Sequence, residues 1–464
     1  MQVIADLQLH SKYARAVSPQ MVIPQIWEWA KIKGIGLIAT GDWTHPLWMR
    51  EIKNDLEETG SGLLRLKIQN SNDKIQIENG PLFLLETEVS CIYSQGGKLR
   101  RIHTLIWSPS IEVSEKINKK LINLGANLMS DGRPIIGLTS RQVCEVVLSV
   151  DPKCLIIPAH VWTPWFSLYG SESGFDSIEE CFGEFSRYIY AVETGLSSNP
   201  AMNWRIKELD TRSIVSFSDA HSGPKLGREA TVFELEELSF KAIREAIMVP
   251  SKESRIMNHE SGGVNNLTNN RIAYTIEFYP EEGKYHYTGH RNCNVRQTPD
   301  ETRSKGTVCP VCGRKLTVGV MHRVDQLAGR SESELKLSKK NIDKIAVEVY
   351  YSSQFPEKTP YTMLVPLHEI LAEVFGSLPT SKNIQNEYKK LIDYFGSEFN
   401  ILLSIKSPEL TKVSGDRVAE AIERVRNAQI YVDPGYDGVF GKVKIWYEKK
   451  DEKKTDAKEQ MSLF

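Results

Sequence analysis

The chain has 464 residues, with 58 Lys and Arg against 59 Asp and Glu, a formal net charge of −1, and 41% hydrophobic and 25% charged content. Such a balance is that of a globular protein of about two to four domains, and it excludes recognition of a polyanion by global charge; any basic surface must be local. No apolar stretch reaches the roughly 20 residues of a membrane span, the start Met1-Gln2-Val3-Ile4-Ala5-Asp6 lacks a signal peptide's basic region, and an odd set of 7 cysteines argues against a disulfide framework, so a cytoplasmic location is expected.

Seven short apolar runs follow one another through the first half of the chain, and each leads to residues able to bind a metal or orient a ligand. Val3-Ile4-Ala5 leads to Asp6 and, across Gln8, to His10. Helix Pro24–Lys33 is followed by Ile35 to Ala39, which leads to Asp42 and His45. The segment Ser61 to Gly80 alternates apolar and polar residues and predicts an inserted hairpin. Leu82 to Leu85 leads to Glu86 and Glu88, and His103 lies within Ile102 to Ile106. A helix is predicted over Ser140–Ser149. Leu155 to Ile157 leads to His160, Ala191-Val192 to Glu193, and Ile214 to Phe217 to Asp219 and His221. Continuous apolar runs are the pattern of parallel strands buried on both faces, and α/β barrels gather their chemistry at the C-terminal ends of such strands. Helix Ser239–Met248 should close the barrel near Val249, so residues 1–257 are read as one barrel and 258–270 as a linker.

A small β-rich unit is expected over residues 271–325, then a mainly helical region over 326–447. Its helical patterns are Leu367–Phe375, Asn383–Tyr394 and Asp416–Ala428, followed by a turn at Pro434 to Gly438. In the last of these helices Val418, Ile422 and Val425 form the apolar face, with Arg417, Arg424 and Arg426 largely elsewhere. Residues 448–464 are charged and polar until Met461-Ser462-Leu463-Phe464, and predict a disordered tail.

The barrel set of His10, His45, His103, His160 and His221 with Glu88 and Asp219 mixes imidazole and carboxylate, which suits Zn²⁺, Mn²⁺ or Fe²⁺. Neighbouring ions of this kind generate hydroxide and clamp both oxygens of an in-line displacement, so the chemistry expected is phosphoester hydrolysis. Asp42, Glu86 and Glu193 can orient metal-bound histidines, with a structural role favoured for Glu86. Lys225 and Arg228 read either as phosphate contacts or as a solvated loop, and Trp162, Trp165 and Phe166 either as core or as a stacking surface for an unstacked base. His290-x2-Cys293 and Cys309-x2-Cys312 have the spacing of two knuckles of a structural zinc site. Around it, Arg291, Arg296, Arg303, Lys305, Arg314, Lys315 and Arg323 form a basic cluster suited to phosphates.

The motifs Leu7-Gln8-Leu9-His10, Gly41-Asp42-Trp43-Thr44-His45, Glu88, His103, Pro158-Ala159-His160 and Ser218-Asp219-Ala220-His221 resemble those of PHP-domain phosphoesterases. Glu193 to Ser197, Ser216 to Ser222 and Leu226 to Ala230 narrow the resemblance to endonuclease Q. It implies an α/β fold: a distorted (β/α)₇ PHP barrel, then a small zinc-binding domain and a mainly helical C-terminal domain that binds DNA. It also implies a trinuclear barrel centre of Zn²⁺, Mn²⁺ or Mg²⁺ on Gln8, His10, Asp42, His45, Glu88, His103, His160, Asp219 and His221. Asp219, His10 and His160 would be catalytic. Glu193, Lys225, Arg228, Trp162 and Tyr436, the last in a glycine-rich segment similar to the family's, would contact substrate. The activity implied is nicking of DNA 5′ to uracil, hypoxanthine or xanthine and to abasic sites. This chain departs from the family pattern where Gln8 stands in place of the first histidine of His-x-His. Either the centre tolerates the change or catalysis is impaired, leaving a lesion-binding protein. A PHP phosphatase of small phosphomonoesters is the other alternative, and it leaves the zinc unit without purpose. The terminal Gln460-Met461-Ser462-Leu463-Phe464 resembles the bacterial sliding-clamp motif, with Gln460, Leu463 and Phe464 as anchors.

Overall fold

The computed structural model describes residues 1–67, 77–257, 269–343 and 345–446, the side chains of 250–257 excepted. All seven apolar runs become strands of one distorted barrel: β1 (Gln2–Asp6), β2 (Leu37–Ala39), β3 (Leu82–Gln95), β4 (Lys98–Ser108), β5 (Leu155–Pro158), β6 (Ala191–Glu193) and β7 (Ser213–Val215). β1, β2 and β3 pair in parallel, with Ala5 opposite Leu37 and Leu37 opposite Leu82. β4 returns antiparallel as a long ribbon, Glu88 opposite Leu105, and β5 is antiparallel to it. β6 and β7 are parallel; Val161 N–H donates to Glu193 O at 3.1 Å and His10 N–H to Ala220 O at 3.0 Å, which joins β5 to β6 and closes the ring at β1.

Alternation along each strand sorts the interior. Residues two apart share a face, so Leu84, Glu86 and Glu88 point the same way, as do His103, Leu105 and Trp107. Leu84, Leu105, Trp107, Val215 and Phe217 form an apolar plug inside the barrel, sealed by Phe240, Ile243 and Ile247 of the helix Phe240–Met257. The other faces, including Phe83, Ile106, Ile156, Val192 and Ile214, pack under the surrounding helices. Polar groups are left to the loops after β1, β2, β5, β6 and β7 and to the facing parts of β3 and β4, which run antiparallel to each other.

The sheet does not stop at the barrel. β8 (Ala230–Glu234) lies antiparallel to β1, and β9 (Arg271–Glu277) antiparallel to β8. Then come β12 (Tyr361–Met363), β11 (Glu348–Ser352) and β10 (Leu337–Asn341). This corrects the boundary expected near 270: β9 extends the barrel sheet, because Ile272, Tyr274 and Ile276 bury against it. The C-terminal region likewise contributes three strands to that sheet before its helices begin. The unit expected to bind zinc is the smaller stretch from Thr288 onward.

The helices fall close to their predicted bounds: Ile23–Lys33, Ser140–Val150, Leu367–Phe375, Lys382–Phe395 and Asp416–Arg426. Val418, Ile422 and Val425 are buried as expected, but so is Arg426. Its guanidinium donates to the carbonyls of Ile401, Leu402 and Ile405, satisfying orphan acceptors at a neighbouring helix end, so it is a packing residue rather than a basic surface. The helical region is pinned to the barrel by a buried ion pair, Lys33 Nζ to Glu398 at 2.6 Å, with Tyr388 Oη donating to the same carboxylate. A short hairpin pairs Leu56–Glu58 with Leu64–Leu66, beginning before the hairpin expected over Ser61–Gly80, whose middle lies outside the described residues. Residues 68–76, most of the linker and the tail from 447, including Gln460, Leu463 and Phe464, lie outside the described residues. No helix among those described is long and apolar enough to cross a membrane.

Candidate metal centre and zinc unit

Three residues at strand ends, Asp42, His160 and Asp219, adopt left-handed backbone (φ of 45°, 29° and 46°). Such conformations are costly for residues other than glycine and gather at functional sites. Here they turn the chain sharply after β2, β5 and β7 so that side chains converge over the barrel mouth.

Two donor groups result: His10, Asp219 and His221, and Glu88, His103 and His160, each with ligand atoms within 4.8 Å of one another. They touch. His10 Nε2 lies 3.3 Å from Glu88 Oε2 and 3.2 Å from Asp219 Oδ1, and His160 Nε2 lies 3.6 Å from Glu88 Oε1. Most of the imidazoles are oriented from behind. His10 Nδ1 donates to Asp42 Oδ1 at 2.9 Å, His221 Nδ1 to the Asp219 carbonyl at 2.8 Å, and His160 Nδ1 meets Thr163 Oγ1 at 3.2 Å. In each the Nε2 edge faces the centre. His103 Nδ1 meets Glu88 directly and lies 3.1 Å from His160 Nε2.

Electrostatics reflect this crowding. Burial would lower His10, but Asp42, Asp219 and Glu88 hold it well above the usual imidazole value. Burial would raise Glu88 and Asp219; His103, Arg133 and His10 outweigh it at Glu88, and His10 and His221 at Asp219, so both stay ionised. Burial dominates at His103 and depresses it to about 4. Glu86, on the same face one step deeper, has two oxygens without a partner, and burial drives it well above the carboxylate range.

Several expected ligands are placed differently. Both oxygens of Asp42 are taken, one by His10 and the other by Ser11 N–H at 2.6 Å and Ser11 Oγ at 2.7 Å, so it orients His10 instead of facing the centre. His45 is buried and stacked on Tyr13 at 4.4 Å, apart from both donor groups. Gln8 is in the centre, but its Nε2 donates to Glu88 Oε2 at 2.9 Å and its buried Oε1 is left without a partner. An amide nitrogen cannot ligate; the spare atom is a neutral carbonyl oxygen.

The expected substrate contacts divide the same way. Glu193 is fully buried beneath His160, accepting from His160 N–H and from Gly195 N–H at 3.2 Å, with burial pushing it up to about 8. It shapes the loop. Trp162 is core: it stacks on Tyr169 at 4.8 Å and donates to Asn203 Oδ1 at 2.8 Å. Trp165 and Phe166 are half-buried at the rim, Phe166 packed on His103 at 4.8 Å and Trp165 edge-on to Tyr285 at 5.5 Å. Lys225 pairs with Glu369 at 2.8 Å, and Arg228 donates to the Ser218 and Asp219 carbonyls, holding the loop after β7. Tyr436 is fixed away from the barrel mouth: its Oη donates to Asn294 Oδ1 at 2.7 Å and its ring covers Gly289 so closely that a Cβ there would meet it at 2.5 Å.

Sequence reading missed Arg133. Its Nη1 reaches 3.4 Å from His10 Nε2 and 3.5 Å from Glu88 Oε1, and although burial works against it, Glu88, Asp219 and Asp42 raise its pKa. Its only signal was a charged residue in the turn Asp131-Gly132-Arg133-Pro134, far from any histidine motif.

The second metal-type cluster is the Cys/His unit in which a structural zinc is expected. Strands Thr288–His290 and Val295–Gln297 bring His290 and Cys293 to one tight turn. Cys309 and Cys312 sit on another, closed by Cys309 N–H to Arg314 O at 2.7 Å and Gly313 N–H to Cys309 O at 2.9 Å. The four donor atoms lie within 4.8 Å of one another. Burial works to raise the Cys309 thiol, but the amides of Cys312 and Val311 and the His290 ring bring it down to about 6, the thiolate state a soft cation takes. Much of the surrounding basic cluster is already paired: Arg296 with Asp433 at 2.6 Å, Arg303 with Asp300 and Asp325, Lys305 with Glu301, Lys315 with Glu172, and Arg323 with Asp176. Arg291 and Arg314 are exposed at its surface.

The chain is similar to several known proteins. Residues 366–429 match the family described as the MJ0043 C-terminal domain. The chain is similar to a lesion-specific endonuclease from Pyrococcus furiosus, at 29% identity over 97% of this chain and 98% of that one, with a TM-score of 0.75. It is also similar to an endonuclease Q crystallised with a 27-mer duplex substrate carrying an abasic lesion at the active site, at 30% identity over 99% and 100% of the two chains, with a TM-score of 0.76. Among curated sequences, the uncharacterised protein MJ0043 of Methanocaldococcus jannaschii is 29% identical over 299 residues, 62% of this chain but only 32% of that longer protein. YqxK of Bacillus subtilis, also uncharacterised, is 26% identical over 349 residues, 74% of each.

Proposed function

This chain belongs to the endonuclease Q family, and from that premise we propose that it is a metal-dependent DNA endonuclease that nicks the backbone at damaged nucleotides. The observation that carries the reading is the pair of touching donor groups, His10-Asp219-His221 and Glu88-His103-His160, at the mouth of a PHP barrel. Mixed imidazole and carboxylate donors, most of their rings fixed from behind, fit divalent Zn²⁺, Mn²⁺ or Mg²⁺. Bound there, such ions supply a hydroxide near neutral pH and neutralise charge on a phosphodiester.

The chain's own residues do the rest. Asp42 holds His10 with Nε2 inward, and the ionised Asp219 and Glu88 face it from two sides. His160, its Nδ1 on Thr163, presents Nε2 to Glu88 and His103 as a neutral donor for the centre. Arg133 places a cation beside the same carboxylates, suited to a phosphate oxygen. Phe166 and Trp165 wall the rim against water.

In its finer form the proposal is cleavage 5′ to uracil, hypoxanthine, xanthine or an abasic site, with the lesion flipped out of the duplex. Uracil presents O4 and N3–H where cytosine presents an amino group and N3, a difference that backbone amides can read. Residues Gln460, Leu463 and Phe464 would dock the protein on a bacterial sliding clamp and so raise its local concentration on DNA. Gln8 favours a second reading, a lesion-binding protein with impaired catalysis, because it removes one anionic or imidazole donor.

The test is to incubate the metal-loaded protein with duplexes carrying one abasic site, uracil or hypoxanthine, beside undamaged duplex and p-nitrophenyl phosphate. Nicking confined to the damaged duplexes supports the proposal. Binding without nicking supports the second reading, and hydrolysis of the phosphomonoester alone rejects both.

A further inference from the structure

Beside the Cys/His unit lies a hairpin, Tyr431–Asp433 paired with Lys442–Lys444, whose loop ends in two exposed apolar residues, Val439 and Phe440. Phe440 is 65% exposed. An exposed aromatic alone means little. This one stands on a loop that is held rigidly.

Gly435 N–H donates to Glu281 O at 2.8 Å, Gly438 N–H to Lys284 O at 2.9 Å, Gly441 N–H to Glu282 O at 3.1 Å, and Tyr287 N–H returns a bond to Gly435 O at 2.9 Å. Asp437 accepts from Arg291 N–H at 2.7 Å and from Thr317 Oγ1 at 2.6 Å. Gly441 cannot be replaced without collision, since a Cβ there would lie 2.1 Å from Glu281 O. The loop's polar groups are thus satisfied within the protein, and its apolar tip is pushed outward.

Charge at the tip is positive. Lys284 Nζ lies 4.5 Å from the centre of the Phe440 ring, and Arg291 passes beside Gly438. The nearby acids are spent: Asp433 on Arg296, Asp437 inside the loop, and Glu281 and Glu282 largely buried, burial raising Glu282 to about 8. The segment bearing Lys284 also reaches the barrel rim, with Tyr285 against Trp165 and Gly283 over the Leu196 carbonyl. Contacts thus lead from Phe166 on His103, through Trp165 on Tyr285, to the segment whose Lys284 covers the Phe440 ring.

We propose that Phe440, flanked by Val439, is a wedge that enters the base stack of duplex DNA and fills the gap left by the extruded nucleotide, while Lys284 and Arg291 hold the flanking phosphates. An aromatic ring offers stacking to any base, and its insertion offsets the cost of unstacking. The inference rests on the nuclease reading above.

The test compares Phe440→Ala and Phe440→Trp in the full metal-loaded chain. Each is assayed on an abasic-site duplex, on the same strand unpaired, and on a duplex with 2-aminopurine opposite the lesion. The expected result is a loss of about tenfold or more in duplex nicking for Phe440→Ala, with single-strand nicking unchanged and the 2-aminopurine signal on binding lost. Phe440→Trp should restore both. Equal activity of Phe440→Ala and wild type on the duplex, or an equal loss on duplex and single strand, overturns the wedge. Should the wild type nick no substrate, the nuclease reading fails, and the fluorescence change on binding still decides for or against the wedge.

Discussion

The Gln8 amide nitrogen donates to Glu88 Oε2 at 2.9 Å, which places a neutral donor where the family pattern has an imidazole. Glu88 is thereby held by Gln8 on one oxygen and by His103 on the other. Replacing Gln8 by His should add a nitrogen ligand and free Glu88 Oε2. We expect Gln8→His to raise barrel metal content and to increase nicking. Unchanged metal content and rate would show that this position is dispensable and would remove the impaired-catalysis reading.

Asp219→Asn should abolish nicking and leave DNA binding nearly intact. Asp219 contacts His10 at 3.2 Å within the centre, whereas the exposed Arg291 and Arg314 lie on the separate Cys/His unit. Binding measured by anisotropy beside a cleavage assay separates the two, and a variant that binds poorly would move Asp219 from catalysis to folding.

The two metal populations should be separable. Replacing Cys309 and Cys312 by Ser should remove one zinc per chain and loosen the module around Thr288–Gln297, because a small closed site supplies folding energy to a unit with little core. Barrel metals measured by elemental analysis should remain. Their loss along with the zinc would mean the two sites are not independent.

Lys33→Ala should destabilise the protein by about 3–5 kcal/mol, the usual consequence of leaving one buried charge unpaired. Paired replacement of Lys33 and Glu398 by Met and Gln should cost less. Burial would raise the Glu398 carboxyl, but Lys33 and Tyr388 hold it below its ordinary value of 4.5. A depressed carboxylate contributes stability that is complete above that value and is lost as pH falls through the lower folded value. Melting curves below pH 4.5 should therefore steepen in pH dependence for the wild type and flatten for the paired variant.

How much of this was legible beforehand follows from the physics of each feature. The barrel was readable because its seven strands are buried on both faces and carry continuous apolar runs, and the histidines stand within or just past them. The convergence of His290, Cys293, Cys309 and Cys312 was readable from their spacing alone. Arg133 was not, since it reaches His10 through a turn with no periodic or motif signal. Nor could spacing show that Asp42 spends both oxygens on His10 and Ser11, or that Trp162 faces Asn203 in the core, because those depend on which way a side chain points. β9 was assigned to the wrong unit because the alternation that makes a strand does not say which sheet it joins.

Deleting Gln460 to Phe464 should abolish binding to a bacterial sliding clamp while leaving nicking of naked DNA unchanged. Clamp affinity of the truncated chain equal to that of the full chain would place the docking site elsewhere.

The central claim is tested most directly by single-turnover cleavage of one duplex, with and without an abasic site, by the metal-loaded protein. The account predicts a single nick at the lesion, absent from the undamaged duplex and lost on chelation or in Asp219→Asn. Equal cleavage of both duplexes, or cleavage that survives Asp219→Asn, would contradict it.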